Sequence, residues 1–468
     1  MDPRRRTIAL LALTLGVFLV TLNVTVVVVA LPDIAADLQA APDTTAWIID
    51  AYNLVGASLL LTAGFLADRF GRRRMLLTGY ALFSGGALLC ALAPSISFLL
   101  AFRVVQAIGG TALTPTSLAI VANIYPDPRE RAKAIGIWGV SSGLGLGLGP
   151  IIGGAAVDAL GWRAVFAVNA VIGLAALVAV LRVVPASRSA VARRIDVPGQ
   201  LLAVAFLASL TYALIEAGRY GWTSPRILAI LAADVVLAIA FLRTERRTAD
   251  PLLELGFFRD RQFSGTVAIT VAAFFAFGGF VYENTLFLEQ GRGYSALAAG
   301  LLSLPSALPT LVGGPVSGRL VATRGPRGVL GAATATMALG LVLLAALPGD
   351  APIEALLACY ALVGIGYAVL NAPISTVAVA SMPREQAGVA AAVVSSGRNV
   401  GIVLGVAALG ALAASRLPDA ASAVEMADAI APAYVLAAAV LAAATVVARL
   451  TLRAVPPVAV SSAPRRSP

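Results

Sequence analysis

Apolar residues dominate this chain in runs of about twenty, which short polar segments separate. A helix needs about 20 apolar residues to cross a hydrocarbon core of about 30 Å. Runs this long, without the alternation of barrel strands, favour helices, because the bilayer interior offers no water to unpaired backbone groups. The pattern predicts an all-α integral membrane protein with fourteen transmembrane helices, near residues 7–29, 45–66, 75–93, 97–122, 134–157, 163–184, 198–217, 226–243, 264–288, 296–318, 328–347, 353–378, 388–415 and 430–451.

Short motifs recur along the chain after about 254 residues. A partly matching copy of the loop sequence at 64–74 occurs at 318–327, and the Pro-Arg-Glu of 128–130 occurs again at 383–385. This offset equals eight predicted spans. Two six-helix bundles with an inserted helix pair between them, a 6+2+6 arrangement, satisfy it. Because eight is even, both repeats keep the same orientation in the membrane, as parallel repeats of transporters do.

The repeat also predicts where the parts of the chain begin and end. We expect an N-terminal six-helix bundle at 1–190, the inserted pair and a charged connector at 191–262, and a C-terminal six-helix bundle at 263–453. The remaining residues, 454–468, are rich in proline and serine and are predicted to be disordered.

The basic residues predict the orientation of the spans. If the N-terminus is cytoplasmic, 27 of the 34 lysines and arginines lie on the cytoplasmic side. This positive-inside bias predicts an even number of crossings with both termini in the cytoplasm. The net charge of +10 then follows from topology and does not indicate a nucleic-acid surface. Arginine and alanine are abundant and lysine is nearly absent, which suggests a bacterium, and we expect the protein in its cytoplasmic membrane.

Composition and missing residue types exclude several classes of protein. The chain is 59% hydrophobic and 12% charged, and its mean hydropathy is +0.90, which excludes a soluble domain. Lys133, the only lysine, lies between alanines, so no phosphate-binding Gly-Lys-Ser/Thr loop exists. Histidine is absent, and Cys90 and Cys359 stand alone in separate spans. We therefore expect no metal, no cofactor and no enzymatic activity.

Two glycine-containing segments indicate close helix packing. Gly64 and Gly71 flank Asp68 and would allow close helix approach and a tight turn between spans two and three. In span five, alternating glycines would remove side chains from one face, and a proline would bend the helix. Generic tight packing and an interface that seals during transport both explain this second motif, which comprises Gly145, Gly149, Pro150, Gly153 and Gly154.

Ionisable residues inside spans are costly unless they face protein or water, so they are candidates for function. Asp50 lies about two turns into span two, with Asn53 one turn further along the same face. We expect Asp50 to face a cavity and carry the coupling proton, although a satisfied acid near the outer end would also fit. Glu283 in span nine follows several phenylalanines, which would form an aromatic cavity wall or would face lipid or the core.

The motifs together resemble the major facilitator superfamily, and the 6+2+6 layout resembles its fourteen-span drug:proton antiporter family (QacA/EmrB type). The loop at 64–74 matches the signature between helices two and three of the superfamily. A looser likeness is to exporters that confer resistance to antibiotics of the methylenomycin type. Further matching segments lie at 22–32, 47–52, 103–109, 145–154 and 161–169.

The resemblance implies roles for particular residues. It implies that Asp68 forms a cytoplasmic charge lock within a gating motif, and that Arg103 takes part in proton transfer, although a structural ion pair would also explain that arginine. The family commonly has an aspartate where this chain has Asn23, which cannot titrate. The gating motif comprises Gly64, Asp68, Arg69, Gly71 and Arg72. The expected substrate cavity comprises Asn23, Asn53, Gln106, Tyr282, Asn284 and Asn371, and the expected proton-coupling residues are Asp50, Arg103 and Glu283.

These observations predict a monomeric, proton-coupled antiporter that exports small amphipathic drugs or antibiotics by alternating access. Two bundles would rock about one central site, and proton and substrate would share its cavity. The expected partners are the organic substrate, protons and the lipid bilayer, and no nucleic acid. The alternative is a proton-coupled importer, symporter or metabolite carrier with the same fold.

Overall fold

The computed structural model describes residues 3–40, 42–125, 127–185, 196–248, 251–382, 387–417 and 422–452. The described residues form α-helices joined by short connections, with one 3₁₀ turn at Leu255–Arg259 and one π-helical turn at Phe287–Gly291. The helices are α1 (Pro3–Val29), α2 (Leu31–Asp37), α3 (Pro42–Phe70), α4 (Arg72–Ala91), α5 (Ile96–Ile124), α6 (Pro128–Leu160), α7 (Arg163–Val183), α8 (Val197–Tyr220), α9 (Pro225–Arg247), α10 (Arg261–Leu286), α11 (Ala296–Leu302), α12 (Leu304–Ala307), α13 (Pro309–Ala346), α14 (Ile353–Ala380), α15 (Ala387–Ala414) and α16 (Ala423–Thr451).

The predicted all-helical membrane class is confirmed. Each predicted window overlaps one of these helices, and eleven helices of the described chain are long and apolar enough to cross a membrane. A twelfth is added if α11 and the following segment 304–314, which meet at a bend of 44°, count as one broken span. The count of fourteen crossings and the cytoplasmic position of both termini stay predictions.

The structure differs from the sequence expectation in two spans. The predicted tenth span is not continuous: α11 ends at Leu302, and Pro305 and Pro309 lie in the first turns of the next two helices. Proline lacks an N–H group and obstructs the preceding turn, which explains the break. The fourteenth span begins at Ala423, earlier than predicted, because Ser422 and Glu425 form a reciprocal capping box that extends the helix.

The packing of the helices follows the sequence repeat. In the first half α1 packs against α6 and α7, and α4 packs against α5 and α7. In the second half α10 packs in the same way against α15 and α16, and α13 against α14 and α16. The halves meet through two equivalent pairs, α3 with α15 and α6 with α11. The additional helices α8 and α9 pack against each other, and α8 also contacts α3 and α15.

The two copies of the loop motif turn in the same way. Gly71, between α3 and α4, has φ +104°, and Gly325, within α13, has φ +74°. The tight turn predicted at Gly71 is present, and we call the end of the bundle that carries both turns the arginine-rich face. A Cβ on Gly64 would meet no atom of the described chain within 4 Å, so close helix approach is not observed there.

The structure describes only part of the gating motif. Arg72 donates from Nη1 to the carbonyl oxygen of Ala119 at 3.4 Å, and Arg69 is exposed. The side chain of Asp68 and residues 383–386 lie outside the described part of the chain. The charge lock therefore stays a prediction.

We expect Gly71→Ala and Gly325→Ala each to lower the free energy of unfolding by about 1 kcal/mol, because an L side chain is strained at positive φ. Gly64→Ala is the matched control. It adds a methyl group to open space within a helix and should be neutral or stabilising. Unfolding of the purified protein in detergent measures all three, and a Gly64→Ala variant as unstable as Gly71→Ala would contradict the assignment.

Candidate functional site

A buried arginine in the first half is held by neutral groups. Arg103 of α5 is 1% exposed. Its Nη1 donates to Oδ1 of Asn23 at 3.1 Å and to Oε1 of Gln106 at 2.9 Å, and its Nε donates to the carbonyl oxygen of Ile48 at 2.9 Å. Nε2 of Gln106 also donates to Oδ1 of Asn23 at 3.2 Å. The structure therefore brings Asn23, Arg103 and Gln106 together, as one network across α1 and α5.

The charge of Arg103 is stabilised by ring faces and dipoles. Its guanidinium carbon lies 4.6 Å from the centroid of the Tyr52 ring and 5.9 Å from that of Phe166. The described residues give Arg103 no ion pair; the ion pairs present there are at Arg6 and Arg163. The structural ion pair considered for Arg103 is thus not found. Asn23 occupies the position from which an aspartate would neutralise the guanidinium.

Asp50 is the buried acid at the boundary of the two halves. Its side chain is fully buried on α3, and neither carboxylate oxygen has a hydrogen-bond partner among the described residues. Ile49, the residue before it, belongs to one buried apolar cluster with Tyr282 and Val406 of the second half. Asn53, one turn further along α3, is also buried and donates to the carbonyl oxygen of Ile49 at 3.3 Å. A charged carboxylate in this position is costly.

A cavity lies between the halves and is lined by residues of both. Its wall consists of aromatic rings, hydroxyl groups and small apolar side chains. The rings of Phe277 and Tyr367 are stacked, with centroids 3.8 Å apart and planes within 10° of each other. The lining residues are Thr25, Val29, Pro150, Phe277, Phe280, Val281, Asn284, Thr285, Ala299, Ser303, Ser306, Ala307, Thr310 and Tyr367.

The cavity includes only part of the site expected from the sequence. Asn284 lines it and donates from Nδ2 to Oγ of Ser303 at 3.3 Å. Phe277 and Phe280 supply the aromatic wall expected on this helix. The other expected residues do not line it in this conformation: Asp50, Arg103, Glu283, Asn23, Asn53, Gln106, Tyr282 and Asn371. The acids and the cavity are therefore separate here, in contrast to the shared cavity that we expected.

Glu283 and Asn371 lie inside the second half. Glu283 is 1% exposed, and a Cβ built on Gly410 of α15 would lie 3.7 Å from its Oε1. The carbonyl oxygen of Asn371 accepts from Nη2 of Arg398 at 3.3 Å, and Oγ of Ser375 accepts from the same atom at 2.8 Å. The guanidinium carbon of Arg398 also lies 5.4 Å from the centroid of the Phe274 ring. Arg398 is thus a second arginine, partly buried, that is held by neutral partners.

Sequence reasoning missed the hydroxyl residues of the cavity. Ser303, Ser306 and Thr310 lie at the break between α11 and α13. The available signal was the pair of prolines in a polar stretch, Ser-Leu-Pro-Ser at 303–306 followed by Pro309, inside an otherwise apolar span. Broken helices of this kind commonly contribute to the binding sites of transporters.

The glycine motif of α6 packs on two sides. Added Cβ atoms on Gly145 and Gly149 would clash with the hydroxyls of Thr21 and Thr25 on α1, and one on Gly153 would lie 2.9 Å from Cγ2 of Val26. These three glycines therefore explain tight packing within the first half. Gly154 faces the other way, where an added Cβ would lie 2.6 Å from the carbonyl oxygen of Ala296 on α11.

Pro150 joins the same contact with the second half. A Cβ on Gly300 of α11 would lie 2.6 Å from the carbonyl carbon of Pro150. Both explanations of the motif thus describe part of it, since one side packs α1 and the other side meets α11.

Polar contacts cover the end of the bundle opposite the arginine-rich face. Oδ2 of Asp158, near the end of α6, accepts from Oγ of Ser295 at 3.0 Å and from the backbone N–H of Leu297 at 3.3 Å. This carboxylate links the first half to the start of α11. Asp37 accepts from Nε1 of Trp162 at 3.0 Å and from Nη1 of Arg163 at 2.7 Å, and these bonds lower the pKa of Asp37. In the described chain no group of three or more potential ligands could hold a metal ion.

We expect Asn23→Asp to raise the free energy of unfolding by about 1 kcal/mol, because it places a carboxylate 3.1 Å from Nη1 of a buried arginine without changing the shape of the side chain. Asn53→Asp is the matched control. It buries a carboxylate whose nearest described polar contact is a carbonyl oxygen, and should destabilise by more than about 1 kcal/mol. Unfolding in detergent measures both, and equal destabilisation by the two variants would contradict the description of Arg103.

Comparisons with known proteins agree with this architecture. A family model described as Major Facilitator Superfamily matches residues 13–309 and 266–468. The chain is 37% identical over 415 residues to the multidrug resistance protein Stp of Mycobacterium tuberculosis, covering 88% of this chain and 77% of that protein. It is 36% identical to the tetracenomycin C resistance and export protein of Streptomyces glaucescens, with 88% and 76% covered.

The expected likeness to methylenomycin resistance is also confirmed. A methylenomycin A resistance protein of Bacillus subtilis is 33% identical, with 86% of each chain covered. Among solved structures, a D-xylose–proton symporter has the same fold, with a TM-score of 0.69, 16% identity, and 96% of this chain and 98% of that chain covered. The helical membrane bundle, the repeat and the sequence relatives show that this chain belongs to the Major Facilitator Superfamily, whose members are membrane transporters and not enzymes.

Proposed function

We propose that this protein exports small amphipathic drugs or antibiotics across the bacterial cytoplasmic membrane in exchange for protons. The observation that carries the proposal is the position of Asp50. It is a fully buried acid, without a hydrogen-bond partner in the described chain, on α3, the helix that packs against α15 of the second half. A group at this boundary changes its surroundings when the halves move. The resistance and export names of the relatives favour export over import.

The proposed topology has fourteen crossings with both termini in the cytoplasm. The helices at the predicted positions support it, as does the collection of the motif arginines at one face. In this orientation the arginine-rich face is cytoplasmic and the Asp158 contacts are external. One chain supplies both halves of the transport pathway, so we expect a monomer to be sufficient.

The contacts between the halves support alternating access, with the external side closed in this conformation. Gly154 packs against the backbone of α11, and Asp158 binds the first turn of that helix. One apolar cluster contains Leu22 and Val26 of the first half together with Val406 of the second. External opening would separate these groups and admit water to the boundary.

Coupling follows from the difference between the two environments of Asp50. While the boundary is closed, an ionised Asp50 would be a charge without a described partner. When the boundary opens to water, the carboxylate is solvated and can exchange a proton. Protonation therefore favours closure, and this difference in free energy is what drives one orientation over the other. Arg103 and Glu283 are the further candidates for proton transfer, since both are ionisable groups buried within membrane-spanning helices.

We expect Asp50→Asn to reduce proton-driven efflux at least about tenfold while the protein still folds and binds substrate, because an amide cannot exchange the proton. Asp234→Asn is the matched control, since Asp234 is also buried but lies on α9, in the additional helix pair. Efflux of ethidium from energised cells, with and without a protonophore, measures both. Full efflux by Asp50→Asn would refute the role of Asp50.

We expect Gly154→Ala to prevent external closure, because its methyl group would overlap the backbone of α11. Gly147→Ala is the control, since its Cβ would lie 3.7 Å from that of Ala307, an ordinary contact. The measurement is labelling of Ala299→Cys by an impermeant maleimide, in a chain whose two natural cysteines are replaced. Labelling should rise about tenfold in Gly154→Ala alone, and equal labelling in the two variants would contradict the closed interface.

A further inference from the structure

Two buried acids meet where the additional helix pair joins the rest of the chain. Asp196 is the N-cap of α8 and is 6% exposed, and Glu245 lies in the last turn of α9 and is 3% exposed. Oδ2 of Asp196 and Oε1 of Glu245 have no hydrogen-bond partner among the described residues. Buried polar atoms in proteins are normally hydrogen-bonded, so these two oxygens need an explanation.

A glycine of α8 brings the two oxygens close together. A Cβ built on Gly199 would clash with both of them, because each lies within 2.5 Å of its position. The two oxygens are therefore less than about 5 Å apart, a range in which like charges act strongly on each other. The approach of α9 to the first turn of α8 thus depends on the missing side chain of Gly199.

The other oxygen of each carboxyl group is held by the backbone. Oδ1 of Asp196 accepts from the N–H of Gly199 at 2.9 Å. Oε2 of Glu245 accepts from the N–H of Leu253 at 2.7 Å, in the segment that leads to α10. These bonds fix both carboxyl groups, so neither of the unpartnered oxygens can turn away from the other without the loss of a hydrogen bond.

The described residues of α9 and of the segment leading to α10 give the pair no ionic partner. The ion pairs of the described chain lie elsewhere, at Arg6 and Arg163. Leu253 is followed by a further acid, Glu254. The arginines near the pair are all exposed, namely Arg243, Arg246, Arg247, Arg259 and Arg261. Two ionised carboxylates at this distance, buried and without a counter-ion, would repel each other at a large cost in free energy.

The helices of the two halves that pack against α8 contribute neutral groups. Nε2 of Gln200, in the first turn of α8, donates to the carbonyl oxygen of Ser58 on α3 at 2.7 Å, and the hydroxyl of Thr62 donates to Oε1 of Gln200. Asp50 lies about two turns before Ser58 on the same helix. The charged residue of α15, Arg398, is bound to groups of α14. The acid pair is therefore joined to α3 but is separate from Asp50.

We propose that Asp196 and Glu245 form a second proton-binding site, in which the two carboxyl groups hold one proton between them. The O–H of one group donates to the unpartnered oxygen of the other, so the pair carries a single negative charge. The site lies outside the central cavity and goes beyond the proton exchange proposed for Asp50. While the proton is bound, it joins α8, α9 and the segment leading to α10. Loss of the proton at alkaline pH places two repelling charges there and weakens this joint.

Infrared difference spectra of the purified full chain in lipid nanodiscs test whether the proton is shared. Raising the pH from about 5 to about 10 removes the C=O band of each protonated carboxyl group that ionises in this interval. We expect Glu245→Gln and Asp196→Asn each to reduce the loss of this band by one carboxyl group, because the new amide donates to the remaining acid and keeps it ionised. The double variant should reduce the loss no further, since the two acids share one proton.

The same spectra contain the outcomes that would overturn the proposal. Two acids that each bind a proton would give the double variant twice the reduction of a single variant. An unchanged band in both single variants would show that the pair binds no proton. Glu216→Gln is the matched control, since it neutralises a partly buried acid near the other end of α8 and should leave the loss of the band unchanged.

Thermal unfolding of the same samples tests what the proton does for the fold. Unfolded acids ionise near pH 4, so a folded pair that keeps a proton above this pH loses stability as the pH rises and the proton leaves. Between about pH 5 and about pH 10, the melting temperature of the wild type should fall by about 3 °C more than that of Glu245→Gln. An equal fall in both proteins would contradict a joint held by the proton.

A chelator distinguishes a shared proton from a bound metal ion. Two carboxylates are also suitable ligands for Ca²⁺. We expect EDTA to leave the melting temperature of the wild type unchanged. A fall that Ca²⁺ reverses, and that Glu245→Gln does not show, would overturn the shared proton in favour of a metal ion. None of these measurements uses a substrate or a proton gradient, so their failure would leave the proposed export function standing, and a loss of export would leave this site standing.

Discussion

The packing of α6 against α1 on one side and α11 on the other is the contact on which the arrangement of the site depends. Gly149 lies against Thr25, and Pro150 lies against Gly300. Thr25 and Pro150 both line the cavity. Side chains larger than glycine would separate these helices, so the same glycines bring the first half together and place its wall opposite the broken tenth span.

Charge and substrate space are separated in this conformation. The cavity is lined by neutral groups, whereas Arg103 and Asp50 are buried outside it. Nε of Arg103 donates to the carbonyl oxygen of Ile48, two residues before Asp50 on α3. Arg103 is held by amide oxygens and aromatic rings because Asn23 stands where a titratable partner would neutralise it. Buried charges without ionic partners are costly in a membrane protein, which is consistent with a role in transport. When the two halves move, these charged groups can become hydrated although they do not line the cavity.

Much of the scaffold could be predicted because it depends on local properties of the chain. The length of the apolar runs predicted helices at every position, and the recurrence of Gly71 as Gly325 predicted two equivalent turns, which the positive φ angles show. The start of α16 was missed, although the Ser422 and Glu425 capping box was visible in the sequence. The break of the tenth span was also encoded locally, by Pro305 and Pro309.

The sequence by itself determined the membrane class, the helices, the repeat and the identity of the unusual buried residues, because hydrophobic length and residue chemistry are properties of short segments. Only the tertiary structure decided that Asn23, Arg103 and Gln106 form one network, that Asp50 lies at the boundary of the halves, and that five hydroxyl residues share a cavity with Phe277 and Tyr367. These relations join residues far apart in the chain. They depend on how the helices are rotated against each other, and a helix that is apolar on all sides carries no amphipathic stripe from which that rotation could be read.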